Sequence, residues 1–231
     1  MPRQDTATAL KKLARARTVR PFFSSTFNDF TEEREHLTKN VWPVFEEICK
    51  KKGNMYVPID LRWGITADQS NEGQTIKICL NEVDLSRPFF ITMLGERYGW
   101  CHAGTQQAGD QMLSKTFKLA RGTYPWLSEY EDRSVTELEI LHAFLHDTEK
   151  GNPIDTTHMR AYLRAPQDHH QRDENSTAGD SLANLKERLR QSPVRVVEYQ
   201  NVEELGEYIL SGVIPLLPLP PCSILCQCMM I

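Results

Sequence analysis

The run Pro88-Phe89-Phe90-Ile91-Thr92-Met93-Leu94 leaves this chain little choice of architecture. A strand with one wet face alternates apolar and polar residues, whereas an unbroken apolar run of this length reads as a strand covered on both faces. Such strands belong to parallel sheets with helices above and below. The rest of the chain keeps to that plan. Val19 to Thr26 is an apolar strand running into Ser24, Ser25 and Thr26, with Pro21 at its beginning because proline cannot donate to a ladder. Met55 to Asp60, His158 to Arg164 and Val194 to Tyr199 supply three more strands.

Between the strands lie segments of helical period. Phe30, Leu37, Val41, Val44, Phe45 and Ile48 predict a first helix from about Asn28 to Lys51, opened by a capping box of Thr26 and Asp29 and bent at Pro43. Helices are also expected over Gln74 to Leu85, Met112 to Ala120, Val135 to His146 (capped by Ser134), Leu182 to Arg190 and Val202 to Ile214. Cys101 to Arg133 reads as a lid or partner surface containing the short third helix, and Pro166 to Asp180 as a polar, mobile loop. The alternation predicts an α/β, flavodoxin-like fold: a five-stranded parallel sheet in order 2-1-3-4-5 with helices on both faces. That order makes neighbours of the first three strands. It gathers Ser24 to Thr26, Asp60 to Trp63 and Gly95 to Trp100 on one carboxyl rim.

Length suits one large domain, read as 19–217, between a basic leader at 1–18 and a Pro/Cys tail at 218–231. The leader resembles a transit peptide weakly and a basic leading helix equally well. Net charge is −4, with basic residues concentrated only in the first twenty, so no nucleic-acid partner is expected. No apolar run reaches a membrane span, so no membrane partner is expected either. Six cysteines, half of them in the last ten residues, form no disulfide framework, and a cytoplasmic chain with reduced thiols is expected. The ending Cys228-Met229-Met230-Ile231 has the outline of a prenylation box without the usual last residue, and is read as inert.

The rim carries the chemistry. Ser24, Ser25 and Thr26 either cap a helix or hold an anion on its first amides. Asp60 is expected to pair with Arg62 beside Trp63, or with Arg97 across the rim, where Glu96, Tyr98 and Trp100 stand between glycines. Aromatic and arginine side chains of this kind are enriched in binding hot spots. Glu139, His142 and His146 share a helical face, but nothing completes a metal set, and a glutamate in a helix's first turns is ordinarily solvated beside the dipole.

Five ordered motifs carry a resemblance over about Val19 to Leu217. They are Ser24-Ser25-Thr26-Phe27-Asn28-Asp29-Phe30 with Glu33-Arg34, Asp60-Leu61-Arg62-Trp63-Gly64-Ile65-Thr66, Cys79-Leu80-Asn81-Glu82-Val83, Leu94-Gly95-Glu96-Arg97-Tyr98-Gly99-Trp100, and Ser134-Val135-Thr136-Glu137-Leu138-Glu139-Ile140. Together they resemble the TIR-like N-terminal domain of unknown function found ahead of NACHT or STAND NTPase modules, as in the third nephrocystin, the telomerase-associated vault protein and NACHT proteins with WD repeats. The resemblance implies a flavodoxin-like sheet, and Pro21 departs from the β-branched residue such domains carry there. It also implies a regulatory protein-interaction domain with protein partners, self-association and a nucleotide as the other ligand class. Glu139, five residues after Ser134, is placed like the catalytic glutamate of NAD-hydrolysing TIR domains, with Glu137 competing for the role. The alternative is therefore a NAD or nucleotide glycosidic-bond hydrolase. No G-x-x-x-x-G-K-[ST] occurs in the sequence, so no P-loop and no bound cofactor are expected of it.

Overall fold

A computed structural model of the chain describes residues 17–26, 29–61, 73–101, 108–166 and 176–213. Its centre is the apolar run. β4 (Phe90–Leu94) is buried throughout and pairs in parallel with β2 (Phe22–Ser24) on one side and β5 (Met159–Arg164) on the other. β6 (Arg195–Tyr199) adds to β5, so the larger sheet has order β2-β4-β5-β6. A second sheet pairs β1 (Thr18–Val19) with β3 (Met55–Tyr56).

The sequence led us to expect one five-stranded sheet; the hydrogen bonding gives two, of two and four strands. Proline is the reason. Met55, Val57 and Ile59 donate to the carbonyls of Arg17, Val19 and Pro21, and Phe23 returns a bond to Ile59. Pro21 has no N–H to return. The isolated bridge Phe22↔Ile59 keeps the register of Thr18↔Met55 and Val19↔Tyr56 beyond the break.

Side chains alternate across the larger sheet. Phe90, Leu94, Met159, Ala161 and Leu163 enter one core, and Ile91, Met93, Tyr162 and Tyr199 enter the other. The second core is roofed by α1, an α-helical Thr31–His36, a π turn Leu37–Val41 and an α-helical Trp42–Lys51, and by α6 (Val202–Val213). The bend expected in the first helix is this π turn, where Trp42 donates to Leu37. Pro43 has no N–H for Lys39, so the ladder widens just before it. The first core lies under α2 (Thr75–Ser86), α3 (Ala108–Arg121), α4 and α5 (Ser176–Gln191). Here α4 is an α-helical Val135–Ile140, a π turn Leu141–Leu145 and an α-helical His146–Glu149.

Several boundaries move. α1 begins at Thr31 with Phe30 at its cap and no side-chain capping bond, because the hydroxyl of Thr26 is turned to the carboxylate of Asp29. α3 is longer than the Met112 to Ala120 helix expected, since Gly109 and polar neighbours mask its first turn. It is followed by a 3-10 turn, Pro125–Glu129, so the described part of the supposed lid is packed structure. α5 starts at Ser176, inside the segment read as a mobile loop. Ser134 does cap α4, accepting from the amide of Glu137 at 3.2 Å. Most of the basic leader, Arg62, Trp63 and the Pro/Cys tail lie outside the described residues. No helix among the described residues is long and apolar enough to cross a membrane.

Candidate functional site

The carboxyl ends of β2, β4 and β5 and the segment after β3 meet at one rim, and charge pairing draws them together. Arg34, on the first turn of α1, donates to the carboxylate of Asp60 after β3 and, at 2.5 Å, to Ser25 Oγ after β2. Their side chains are 2% and 5% exposed, so this ion pair is shut away from water. The sequence reading put Asp60 against Arg62 or Arg97; its described partner is Arg34. The signal was in the chain, because Arg34 lies four residues after Phe30 and three before Leu37, on the buried face of the helix.

A second pair lies one strand further on. Arg164, the last residue of β5, donates to Glu33 Oε1 at 2.8 Å, to the carbonyl of Asp29 at 2.6 Å and to Asp29 Oδ2 at 3.3 Å, with its guanidinium 4.7 Å from the centre of the Phe30 ring. Tyr199 donates to the same oxygen of Glu33 at 3.1 Å. Burial raises the pKa of Asp29, and the bond from Thr26 and the charges of Arg164 and Arg97 oppose the rise. The segment after β4 closes over this pair at Gly95, where a Cβ would lie 2.6 Å from Arg164 Nη2 and 2.8 Å from Asp29 Oδ2. A side chain there would push the Arg164 and Asp29 groups out of their present places. Gly99, at φ +98°, brings the same segment against Thr26 and Thr136, and the carbonyl of Trp100 accepts from Val135 at the head of α4.

Of the residues predicted at the rim, Ser24, Ser25, Thr26, Asp60, Glu96, Arg97, Tyr98 and Trp100 are brought together. They are not equivalent. Tyr98 is buried and donates to Glu137, which also binds Arg188. Glu96 and Arg97 are half-buried, and Trp100 is half-buried against the core of α4.

Glu137 and Glu139, expected in solvent at the start of α4, are 0% and 6% exposed. Both turn inward because α4 is sunk between the sheet and its neighbours. Glu139 lies under the end of β2, accepting from Ser24 Oγ at 2.6 Å and from the thiol of Cys79 on α2. Burial raises its pKa to about 7, opposed by those two bonds and by the charge of Arg34. His142 and His146 instead lie against Trp126, so Glu139 and the two histidines point to different surroundings.

The chemistry available at the rim is thus inward. All three hydroxyls are engaged within the protein: Ser24 with Glu139, Ser25 with Arg34, and Thr26 with Asp29. Beside the rim, on the β3 side, an open groove of about 860 Å³ lies between Pro58–Leu61, one face of α2 and the end of α3. Glu139 does not line it.

With this geometry in view, a family profile described as "Domain of unknown function (DUF4062)" matches residues 20–213. A TPR repeat-containing protein of Dictyostelium discoideum is 28% identical over 84% of this chain and 12% of its own length. Telomerase protein component 1 of Mus musculus is 32% identical over 65% of the chain and 5% of its own. Human NACHT and WD repeat domain-containing protein 2 is 38% identical over 36% of the chain and 5% of its own. The chain therefore spans a small fraction of the curated relatives it matches. No solved structure matches it significantly.

Proposed function

The chain belongs to the DUF4062 family, and from that premise we propose that it is a regulatory protein-interaction domain of the STAND/NACHT-type signalling or scaffold class, built on a TIR-like framework and acting in the cytoplasm. The register that continues past Pro21 supports reading its two sheets as one interrupted flavodoxin-like sheet of order 2-1-3-4-5. The observation that carries the functional reading is the closure of the rim. The hydroxyls and carboxylates that would do chemistry are spent on internal bonds, and beside them lie the half-buried Glu96, Arg97 and Trp100. Those are contact groups. The size of the relatives supports a module as well, since a segment covering 5–12% of a repeat-bearing protein works beside other domains.

One observation favours a second reading, a NAD or nucleotide glycosidic-bond hydrolase. Glu139 is a carboxyl with its pKa raised to about 7 and bonded to Ser24 just beneath the rim. The two readings part in one experiment. The chain is assayed for binding to the NACHT-bearing remainder of such a relative and, at low and high protein concentration, for nicotinamide release from NAD. Binding that Trp100→Ala abolishes, without release, supports the interaction reading. Release that grows with concentration and disappears in Glu139→Gln reverses the choice.

A further inference from the structure

The larger sheet ends at β6, whose strand partner among the described residues is β5. Ala165 donates to the carbonyl of Tyr199, and in a parallel ladder this turns the N–H and C=O of Arg195, Val197 and Tyr199 toward β5. The backbone groups of Val196 and Glu198 therefore face out of the sheet, where among the described residues they have no partner. The next outward amide at either end is spent on a side chain: Val194 donates to Ser192 Oγ at 3.3 Å and Gln200 to Glu204 Oε2 at 2.9 Å. The bare edge is thus short and bounded. Val196 and Val197 are half-buried, and the carboxylate of Glu198 is held by Arg190 at 2.8 Å.

We propose that β6 pairs with β6 of a second copy of this chain, antiparallel and about a two-fold axis at Val197, so that the two sheets become one. The outward groups choose that register. In an antiparallel ladder, residues that exchange both hydrogen bonds lie opposite each other. An axis at Val197 sets Val196 opposite Glu198 of the second copy, and Glu198 opposite Val196 of the second copy, so every outward N–H and C=O is satisfied on both. An axis at Glu198 would oppose two carboxylates and set Val196 against Gln200, whose amide is taken. An axis at Val196 would set Glu198 against Val194, whose amide is also taken. A second copy is the occupant because the match is reciprocal. Each edge presents donors and acceptors over the length that the other presents, whereas a foreign strand covers one edge and leaves the rest of its own length unpaired.

The inference rests on the interaction reading, as a form of self-association, but uses a sheet edge and not the rim. Trp100→Ala should therefore leave it untouched, and the two fail separately. Sedimentation equilibrium of the whole chain should show a monomer–dimer equilibrium. Glu198→Ala keeps the backbone N–H and should dimerise like wild type. Glu198→Pro deletes that donor, at an edge position where proline is tolerated, and should weaken the dimer about tenfold or more. The Val197 pair at the axis is non-hydrogen-bonded, with Cα atoms about 4.5 Å apart, within reach of a disulfide. Val197→Cys should cross-link on mild oxidation, with the bond between the two positions 197 found by peptide mapping, and Arg195→Cys should not. A thermal melt checks that each variant folds, and the cross-link decides the register even where the proline variant melts early. A chain that stays monomeric, its edge then open to a foreign strand, would overturn the proposal. So would a dimer that Glu198→Pro leaves as tight as wild type, or cross-linking at 195 as readily as at 197.

Discussion

Arg34 and Asp60 are worth most as a pair. Both side chains are buried, and removing one partner of a buried ion pair costs about 3–5 kcal/mol. Arg34→Ala and Asp60→Ala should each lower stability by about that much in urea unfolding. The double variant should lose less than the sum, because the two charges interact directly. Additive losses would mean the two charges do not depend on each other. Glu139 makes a prediction with a sign. Its pKa is raised from 4.5 to about 7, so the folded protein keeps a proton that the unfolded chain gives up above 4.5. The stability linked to that proton is fully present below pH 4.5 and lost as the pH rises through 7, a span of roughly 3 kcal/mol. Glu139→Gln cannot ionise, so its stability should decline less than wild type between those values. Parallel pH profiles would mean that the carboxyl is not buried.

Among the elements, the break between the sheets depends on one missing hydrogen. Pro21→Val restores an N–H at the place where the ladder lacks one, facing the carbonyl of Val57. By hydrogen exchange, the new amide should be protected as well as its neighbours at Val19 and Phe23. An amide that exchanges freely would mean that the register does not run through the break, and that the two sheets are distinct. The strands and most helices were legible because burial on both faces leaves apolar runs, and burial on one face leaves a 3.6-residue period. The start of α1 was misread for a local reason. Thr26 and Asp29 have the spacing of a capping box, yet Asp29 is drawn away by Arg164, a residue 135 positions further on. Spacing along the chain carries no trace of such a partner.

At the scale of the whole molecule, the described residues build two cores, and the buried Val213 of α6 closes the end of the second. A chain cut after Val213 should therefore unfold cooperatively with an unchanged midpoint, and a lower midpoint in a calorimetric scan would show that the removed residues pack. The sequence by itself determined the α/β class and the parallel sense of the strands. These follow from hydrophobic period and from the handedness of crossovers, which are local or generic properties. Only the tertiary structure decided which charge meets which. Arg34 reached Asp60, Arg164 reached Asp29 and Glu33, and Glu139 passed from an expected solvated turn to the interior beneath Ser24. A buried charge is tolerated only beside its partner, and here the partners come from elements that are distant in the chain and adjacent only once the sheet and helices have packed.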